Sequence, residues 1–184
     1  MVLLNVMLSG SQQARALESE DGPALQDLLE RCDDYSRLSF GIPTGSADAQ
    51  SQFLEGLQYV PAERKHLLGC YSGDRLVAAV DLLEDYPEHG TAVLGMVVVE
   101  PERRGQGLGT DILLGLSSEL AGRGIRRLRV DCHVAENTEA VRWLERLGFE
   151  ELSRAQITVA AGQTRSRVLW MAELPLRTKE GTGS

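Results

Sequence analysis

Apolar residues recur with helical spacing in the first third of the chain and form longer runs beyond it. Four of them follow the helix spacing i, i+3, i+4 and i+7: Leu25, Leu28, Leu29 and Cys32. Because Asp21 offers an N-cap just before them, this spacing predicts an amphipathic helix. A second helix is predicted over 47–57, a short strand over 12–17, and a loop over 33–45.

From residue 67 the apolar runs are typical of strands. Gly73 and Asp74 form a two-residue hairpin signal, and the unbroken run 93–99 indicates a strand buried on both faces. Strands are predicted over 67–72, 75–83, 91–99, 125–131, 149–159 and 166–173. Helices are predicted over 107–122 and 138–147. The order β-α-α-β-β-β-α-β-α-β-β predicts an α+β (mixed α/β) fold with helices flanking a central sheet.

Length and composition fit one globular domain. The 184 residues are 42% hydrophobic and 25% charged, which predicts a single domain over 1–176 and a flexible tail over 177–184. The longest apolar run, 92–99, is too short to cross a membrane. Three separated cysteines without a C-x-x-C pair argue against disulfides and metal sites. This cysteine pattern makes a reducing cytoplasm the expected location, and the first residues lack the basic segment of a secretory signal.

Charge is distributed unevenly along the chain. The net charge is −8, which argues against nucleic-acid binding. Residues 101–129, however, contain six arginines and three acidic residues, a local excess of +3 that leaves −11 for the rest. A basic segment in an acidic protein suggests an anionic ligand at that segment and a cationic partner elsewhere.

The segment 97–110 carries the clearest chemical signal, because a buried strand runs there into a glycine-rich turn and a helix. Glycines at 105, 107 and 109 let backbone N–H groups approach an anion closely, and the helix adds its free N–H groups and positive dipole end. Arg103 and Arg104 add positive charge. The pattern predicts a phosphate or pyrophosphate cradle.

Known phosphate loops differ in how well they fit this segment. A Walker A loop requires Gly-Lys-Ser or Gly-Lys-Thr, which occurs nowhere in the chain. A dinucleotide fingerprint requires G-x-G-x-x-G, whereas the glycines at 105, 107 and 109 alternate. A glycine-rich turn without any ligand is the remaining simple alternative.

A third kind of loop fits better. The pattern Arg104-x-x-Gly107-x-Gly109 resembles the acyl-CoA pyrophosphate loop of the GNAT superfamily of N-acetyltransferases. A second motif, Asn137-x-x-Ala140 ending in Gly148-Phe149, resembles the CoA motif that follows in the same family. The two motifs lie 33 residues apart, in the family's order.

The resemblance implies a fold and a set of cofactor contacts. It implies a mixed, mostly antiparallel sheet whose fourth and fifth strands splay apart to admit the pantetheine arm of acetyl-CoA. The backbone of the strand segment Val97, Val98 and Val99 would contact pantetheine, and Asn137 the pantetheine or phosphate region. The pyrophosphate would be held by backbone amides of Arg104, Gly105, Gln106, Gly107, Leu108, Gly109 and Thr110.

The catalytic groups are less clear from the resemblance. Many family members have a tyrosine seven residues after the motif asparagine, as the acid for the leaving thiolate, and that position is Leu144 here. Asp81, at the end of the second of the strands after residue 67, and His133 are the candidates for base or proton relay. Cys132 is expected to be a packed small residue.

These features predict an acetyl-CoA-dependent N-acetyltransferase that transfers the acetyl group directly to a primary amine. The −11 charge outside the basic segment favours a small, cationic acceptor, with a protein N-terminus as another possibility. The family resemblance also allows a homodimer. The alternatives are a CoA-binding sensor or interaction module without turnover and, less favoured, a mononucleotide-binding protein.

Overall fold

The computed structural model describes residues 4–9, 13–132, 138–159 and 162–178 of the chain. The described strands are β1 Val6–Met7, β2 Gln13–Ala16, β3 Lys65–Ser72, β4 Arg75–Glu84, β5 Thr91–Val99, β6 Arg127–Cys132, β7 Glu150–Thr158 and β8 Thr164–Glu173. The described helices are α1 Gly22–Arg31, α2 Asp33–Phe40, α3 Asp48–Leu54, α4 Leu108–Gly122 and α5 Thr138–Arg146.

The eight strands form one sheet in the order β1-β2-β3-β4-β5-β6-β8-β7. Every neighbouring pair is antiparallel except β5 and β6, which are parallel because α4 carries the chain back across the sheet. The prediction of a mixed, mostly antiparallel sheet with flanking helices is therefore confirmed. The tail expected over 177–184 lies outside the described residues apart from Arg177 and Thr178.

The parallel pair separates halfway along β5. Within the part of the chain that the structure describes, four residue pairs join the strands, from Thr91 opposite Arg127 to Leu94 opposite Val130. On the other side of β5, Leu94 lies opposite Leu82 and Met96 opposite Asp81, so Gly95 is an extra residue in the β4–β5 ladder. Such a bulge bends its strand. The bulge directly follows Leu94, the last residue of β5 that pairs with β6. The splay predicted between the fourth and fifth predicted strands, which are β5 and β6 here, is confirmed.

Helices cover both faces of the sheet. The larger core contains side chains of α4 and α5 together with alternate sheet residues, among them Leu113, Leu128 and Phe149. A second cluster packs α1 and α3 against the opposite face and includes Leu25, Leu67 and Met96. Among the described helices, none is long and apolar enough to cross a membrane.

The segment predicted to be a loop over 33–45 instead contains α2. Its first turn has two acidic residues, Asp33 and Asp34, which are favourable near the positive end of the helix dipole. Arg37 donates to Asp33 over 2.5 Å, one turn apart. Gly41 ends the helix in the left-handed conformation with φ 78°. The prediction missed the helix because it followed apolar periodicity, and α2 is polar. It also missed β1, which is only two residues long.

Gly115 allows α4 to approach β1 closely. A Cβ at this position would lie 2.5 Å from Val6 Cγ1 and 3.0 Å from the Met7 carbonyl oxygen.

We expect Gly115→Ala to lower the free energy of unfolding by about 1–2 kcal/mol, because β1 must shift to admit the methyl group. Gly122→Ala in the same helix is the matched control, since its Cβ would meet nothing within 4 Å. It should gain up to about 1 kcal/mol from helix propensity. Urea denaturation measures both, and an equal gain in the two variants would contradict the expected β1 contact.

Candidate active site

The glycine-rich turn between β5 and α4 forms an open cradle. Gly105 and Gly107 have φ of 70° and 90°, which side-chain-bearing residues rarely adopt, and a Cβ at either position would meet nothing within 4 Å. Gly107 is the N-cap of α4, so the first N–H groups of a 15-residue helix are directed at the turn. Open space beside helix N–H groups that have no acceptor within the helix suits a phosphate or pyrophosphate group.

Beyond the bulge, β5 presents backbone groups to the gap. Glu100 donates its N–H to the Val77 carbonyl of β4 over 2.9 Å. Alternate residues of an antiparallel strand face the same neighbour, so Val98 also faces β4, and Val97 and Val99 turn their backbone groups away from it. They face the side where β6 has separated. Of the three valines predicted to contact pantetheine, Val97 and Val99 thus turn their backbone groups toward the gap, where the Val99 carbonyl accepts from Arg104 and Cys32, whereas Val98 pairs with Ala79 and is 3% exposed.

Arg104 connects the cradle to helix α2. Its Nε donates to the Val99 carbonyl over 2.8 Å, and its two terminal nitrogens bind the Asp34 carboxylate at 2.5 and 3.0 Å. This hydrogen-bonded ion pair lowers the pKa of Asp34. Cys32 also donates its thiol to the Val99 carbonyl, at 3.5 Å. The sequence predicted a backbone amide contact and a positive charge at the cradle for Arg104. The pairing of that charge with Asp34 was missed because α2 was not predicted.

Helix α5 supports the far side of the cradle. The Trp143 indole Nε1 donates to Thr110 Oγ1 over 2.9 Å. A Cβ on Gly109 would lie 3.4 Å from Trp143 Cζ2, so this glycine allows the two helices to meet. Leu144 is 2% exposed within the main core, and the position of the family's tyrosine therefore carries a packing residue. Leu108, with Gln106 in the turn before it, completes the described part of the cradle.

Asp81 lies in the interior of β4 and not at its end, because this strand continues to Glu84. Lys65 on β3 donates to its Oδ1, and both side chains are buried. Burial, with a smaller contribution from the nearby Glu55, raises the pKa of Asp81 to about 6 against the lowering effect of Lys65. The other oxygen, Oδ2, lies 3.5 Å from the position of a Cβ on the exposed Gly95. The other candidate, His133, and the motif residue Asn137 lie outside the described residues.

A cleft of about 570 Å³ opens on the α1–α3 face of the sheet, beside the bulge. Met96 and Leu29 are among its lining residues, together with α2, α3 and the end of β7. The charged residues in the lining are both acidic, Asp48 and Glu55. The rest of the cleft lining is uncharged and consists of Tyr35, Ser36, Ser39, Phe40, Ile42, Pro43, Gly45, Ser51, Gln52, Ile157, Thr158 and Val159. Sequence reasoning did not identify this cleft, since its walls come from distant segments.

The site thus has two halves that meet at Gly95 and Met96. One half is the gap and cradle on the β6 side, and the other is the acidic cleft on the α1–α3 side. Among the described residues no three His, Cys, Asp or Glu side chains come together as metal ligands would. The arrangement can hold an extended anionic ligand on one side and an amine on the other.

Solved structures with the same fold are numerous. The ribosomal-protein-S18-alanine N-acetyltransferase of Escherichia coli aligns with a TM-score of 0.67 and 21% identity, over 98% of this chain and 99% of that one. A ribosomal L7/L12 alpha-N-protein acetyltransferase aligns with a TM-score of 0.77 and 16% identity, over 95% and 96%. A Salmonella typhimurium acetyl transferase that modifies the N-terminal serine of L7/L12 aligns at 0.73 and 17%, over 96% and 100%.

At these identities the structural likeness establishes the fold, and the sequence establishes the family. No curated protein matches the chain by sequence. The family described as the acetyltransferase (GNAT) family matches residues 24–149, which is more than half of the chain and contains the cradle, Asp81 and all of α5. The chain belongs to the GNAT family of acetyltransferases.

Proposed function

We propose that this protein transfers an acetyl group from acetyl-CoA to the α-amine of a peptide or protein chain. The observation that carries the proposal is the meeting of the two halves of the site. The strand segment that faces the gap, Gly95–Val99, also supplies Met96 to the cleft. A thioester in the gap and an amine in the cleft would therefore approach each other across this one short segment.

The cosubstrate half of the site fits coenzyme A. Its pyrophosphate would be held by the amides from Arg104 to Thr110, because the cradle is open and the helix dipole favours an anion there. Pantetheine would lie along the backbone groups of Val97 and Val99 that face the gap. A similar ribosomal L7/L12 alpha-N-protein acetyltransferase structure contains coenzyme A, at a TM-score of 0.74.

The acceptor half favours a cation of peptide size. The cleft volume of about 570 Å³ suits a few amino-acid residues, and its charged lining side chains, Asp48 and Glu55, are both acidic. A carboxylate whose conjugate acid has a pKa of about 6 takes a proton more readily from an α-ammonium group, with a pKa near 8, than from an alkyl ammonium near 10. We therefore place a chain α-amine ahead of the small cationic amine that the charge distribution favoured.

The names of similar structures point the same way. Three of them are described as acting on ribosomal proteins, one at an alanine and one at an N-terminal serine. These descriptions apply to those proteins, and they support a protein acceptor for this chain as a proposal.

The residues of this chain would perform direct transfer as follows. Asp81 accepts a proton from the acceptor ammonium, which leaves a neutral amine in the cleft. The nitrogen lone pair forms the C–N bond to the thioester carbonyl carbon, and the C–S bonding pair departs with sulfur. The second proton lost by the nitrogen goes to the thiolate, giving an amide and free CoA. Because a thiolate is a fair leaving group, Leu144 in place of the family's tyrosine is compatible with turnover.

An acceptor panel tests the proposed function. We expect acetyl-CoA to acetylate peptides with a free N-terminus, and mass spectrometry to place the acetyl group on the α-nitrogen. Matched peptides that are N-formylated but carry a lysine should react at least about tenfold more slowly, because the lysine amine is harder to deprotonate. Spermidine and other small polyamines complete the panel. Acetylation of the polyamines alone would contradict the peptide acceptor, and CoA binding without any product would favour the sensor.

Gly107→Glu tests the cradle. A carboxylate at this N-cap would repel the pyrophosphate, so we expect the affinity for CoA to fall at least about 100-fold by calorimetry. Gly124→Glu is the matched control at the other end of α4. Gly124 has φ of 91° and, like Gly107, would have nothing within 4 Å of its Cβ, so the backbone strain of the two variants is comparable. Equal CoA affinities in the two variants would mean that the turn does not bind phosphate.

A further inference from the structure

A buried ion pair lies at the bulge where β5 separates from β6. Lys65 and Asp81 have side chains only 6% and 7% exposed. In the β3–β4 ladder Lys65 lies opposite Leu83 and Asp81 opposite Leu67, so the two charged residues are diagonal neighbours on one face. On the same face Leu67 lies opposite Asp81, and Ala79 lies two residues before Asp81 along β4; both are buried.

Stability alone is a weak reason for this pair. The cost of removing two charges from water commonly offsets their attraction, and apolar residues often replace buried ion pairs without loss. The location is more informative. Asp81 lies opposite Met96, which lines the cleft. It also lies next to Gly95, where the part of β5 that is not paired with β6 begins. The pair therefore lies where the two halves of the site meet.

The two oxygens of Asp81 have different surroundings. Oδ1 accepts from the Lys65 ammonium. Asp81 is 5% exposed, and Oδ2 lies beside Gly95, which is exposed and has no side chain; a Cβ there would be 3.5 Å from this oxygen. The charged groups that act on Asp81 from the packed elements are Lys65 on β3 and Glu55 after α3, while β5 contributes only the uncharged Gly95 and Met96.

We infer that Lys65 is a positioning residue for the acceptor reaction: it holds Oδ1 and keeps Asp81 ionised, so that Oδ2, left open by Gly95, accepts the proton of the acceptor ammonium. This inference rests on the proposed acetyl transfer. In the step itself, one N–H bond of the ammonium breaks and one O–H bond forms on Oδ2, while the Lys65 ammonium keeps its own protons. The released amine then attacks the thioester as described above.

The first experiment titrates Asp81 directly. Carboxyl carbon NMR follows the Asp81 carboxylate with pH in the unaltered chain, in Lys65→Met and in Lys65→Arg, with Asp81→Asn to assign the signal. Because Lys65→Met removes the cation that favours the carboxylate, the Asp81 midpoint should rise by about one pH unit or more. Lys65→Arg keeps the positive charge, so the Asp81 midpoint should stay where it is in the unaltered chain. The acid limb of kcat/KM should move upward with the same midpoint in Lys65→Met and return in Lys65→Arg.

The second experiment covers the open oxygen. Gly95→Val places a branched side chain over Oδ2, so we expect kcat to fall at least about tenfold with the affinity for CoA retained. Gly95→Ala should lower kcat less, because its single Cβ would fit at ordinary contact distance. Both Gly95 variants leave Lys65 unchanged, so they test the same inference even if Lys65→Met does not fold.

The outcomes separate the inference from the proposed function. If the unaltered chain acetylates no amine, the proposed function is wrong, and the inference fails with it even where Lys65→Met shifts the NMR titration. If acetylation occurs, an Asp81 titration that is the same with and without the Lys65 charge overturns the inference while the proposed function stands. Unchanged kcat in Gly95→Val overturns the role of Oδ2 in the same way.

Discussion

The whole site depends on one local irregularity, the extra residue Gly95 in the β4–β5 ladder. A strand cannot follow both neighbours through a bulge, and β5 remains paired with β4 while its pairing with β6 ends at Leu94. Among the described residues, the backbone beyond this point has no strand partner on the β6 side. Such groups need hydrogen bonds from elsewhere, and an extended amide-containing ligand such as pantetheine can supply them.

The gap and the cleft are also joined away from the bulge, through Arg104. This side chain binds the Val99 carbonyl in the gap and Asp34 in α2, and α2 supplies Tyr35, Ser36, Ser39 and Phe40 to the cleft. The ion pair is exposed, and its contribution to stability is therefore small. Its importance lies in geometry, because the cradle and one wall of the cleft share a single guanidinium group.

The sequence predicted the parts of this structure that depend on local signals. The glycine-rich turn of 105–109 follows a buried apolar run and precedes a helix, and these features concern residues adjacent in the chain. The predicted strands and helices beyond residue 67 accordingly lie close to the observed ones. The splay was implied by family resemblance, since no local pattern shows where a parallel pair separates.

Features that depend on contacts between distant segments escaped prediction. Helix α2 escaped for a local reason, because it is a polar helix whose signals are its charged first turn and Gly41. Lys65 lies just before the predicted strand of 67–72, so its pairing with Asp81 became visible only in the β3–β4 register. The cleft is formed by residues more than 100 positions apart, from Leu29 to Val159.

The most direct test of this account is a crystal structure of the chain with coenzyme A. We expect this structure to show pantetheine between Gly95–Val99 and β6, with the pyrophosphate at the amides of 104–110. CoA bound elsewhere, or β5 and β6 paired along their full length, would contradict the proposed site.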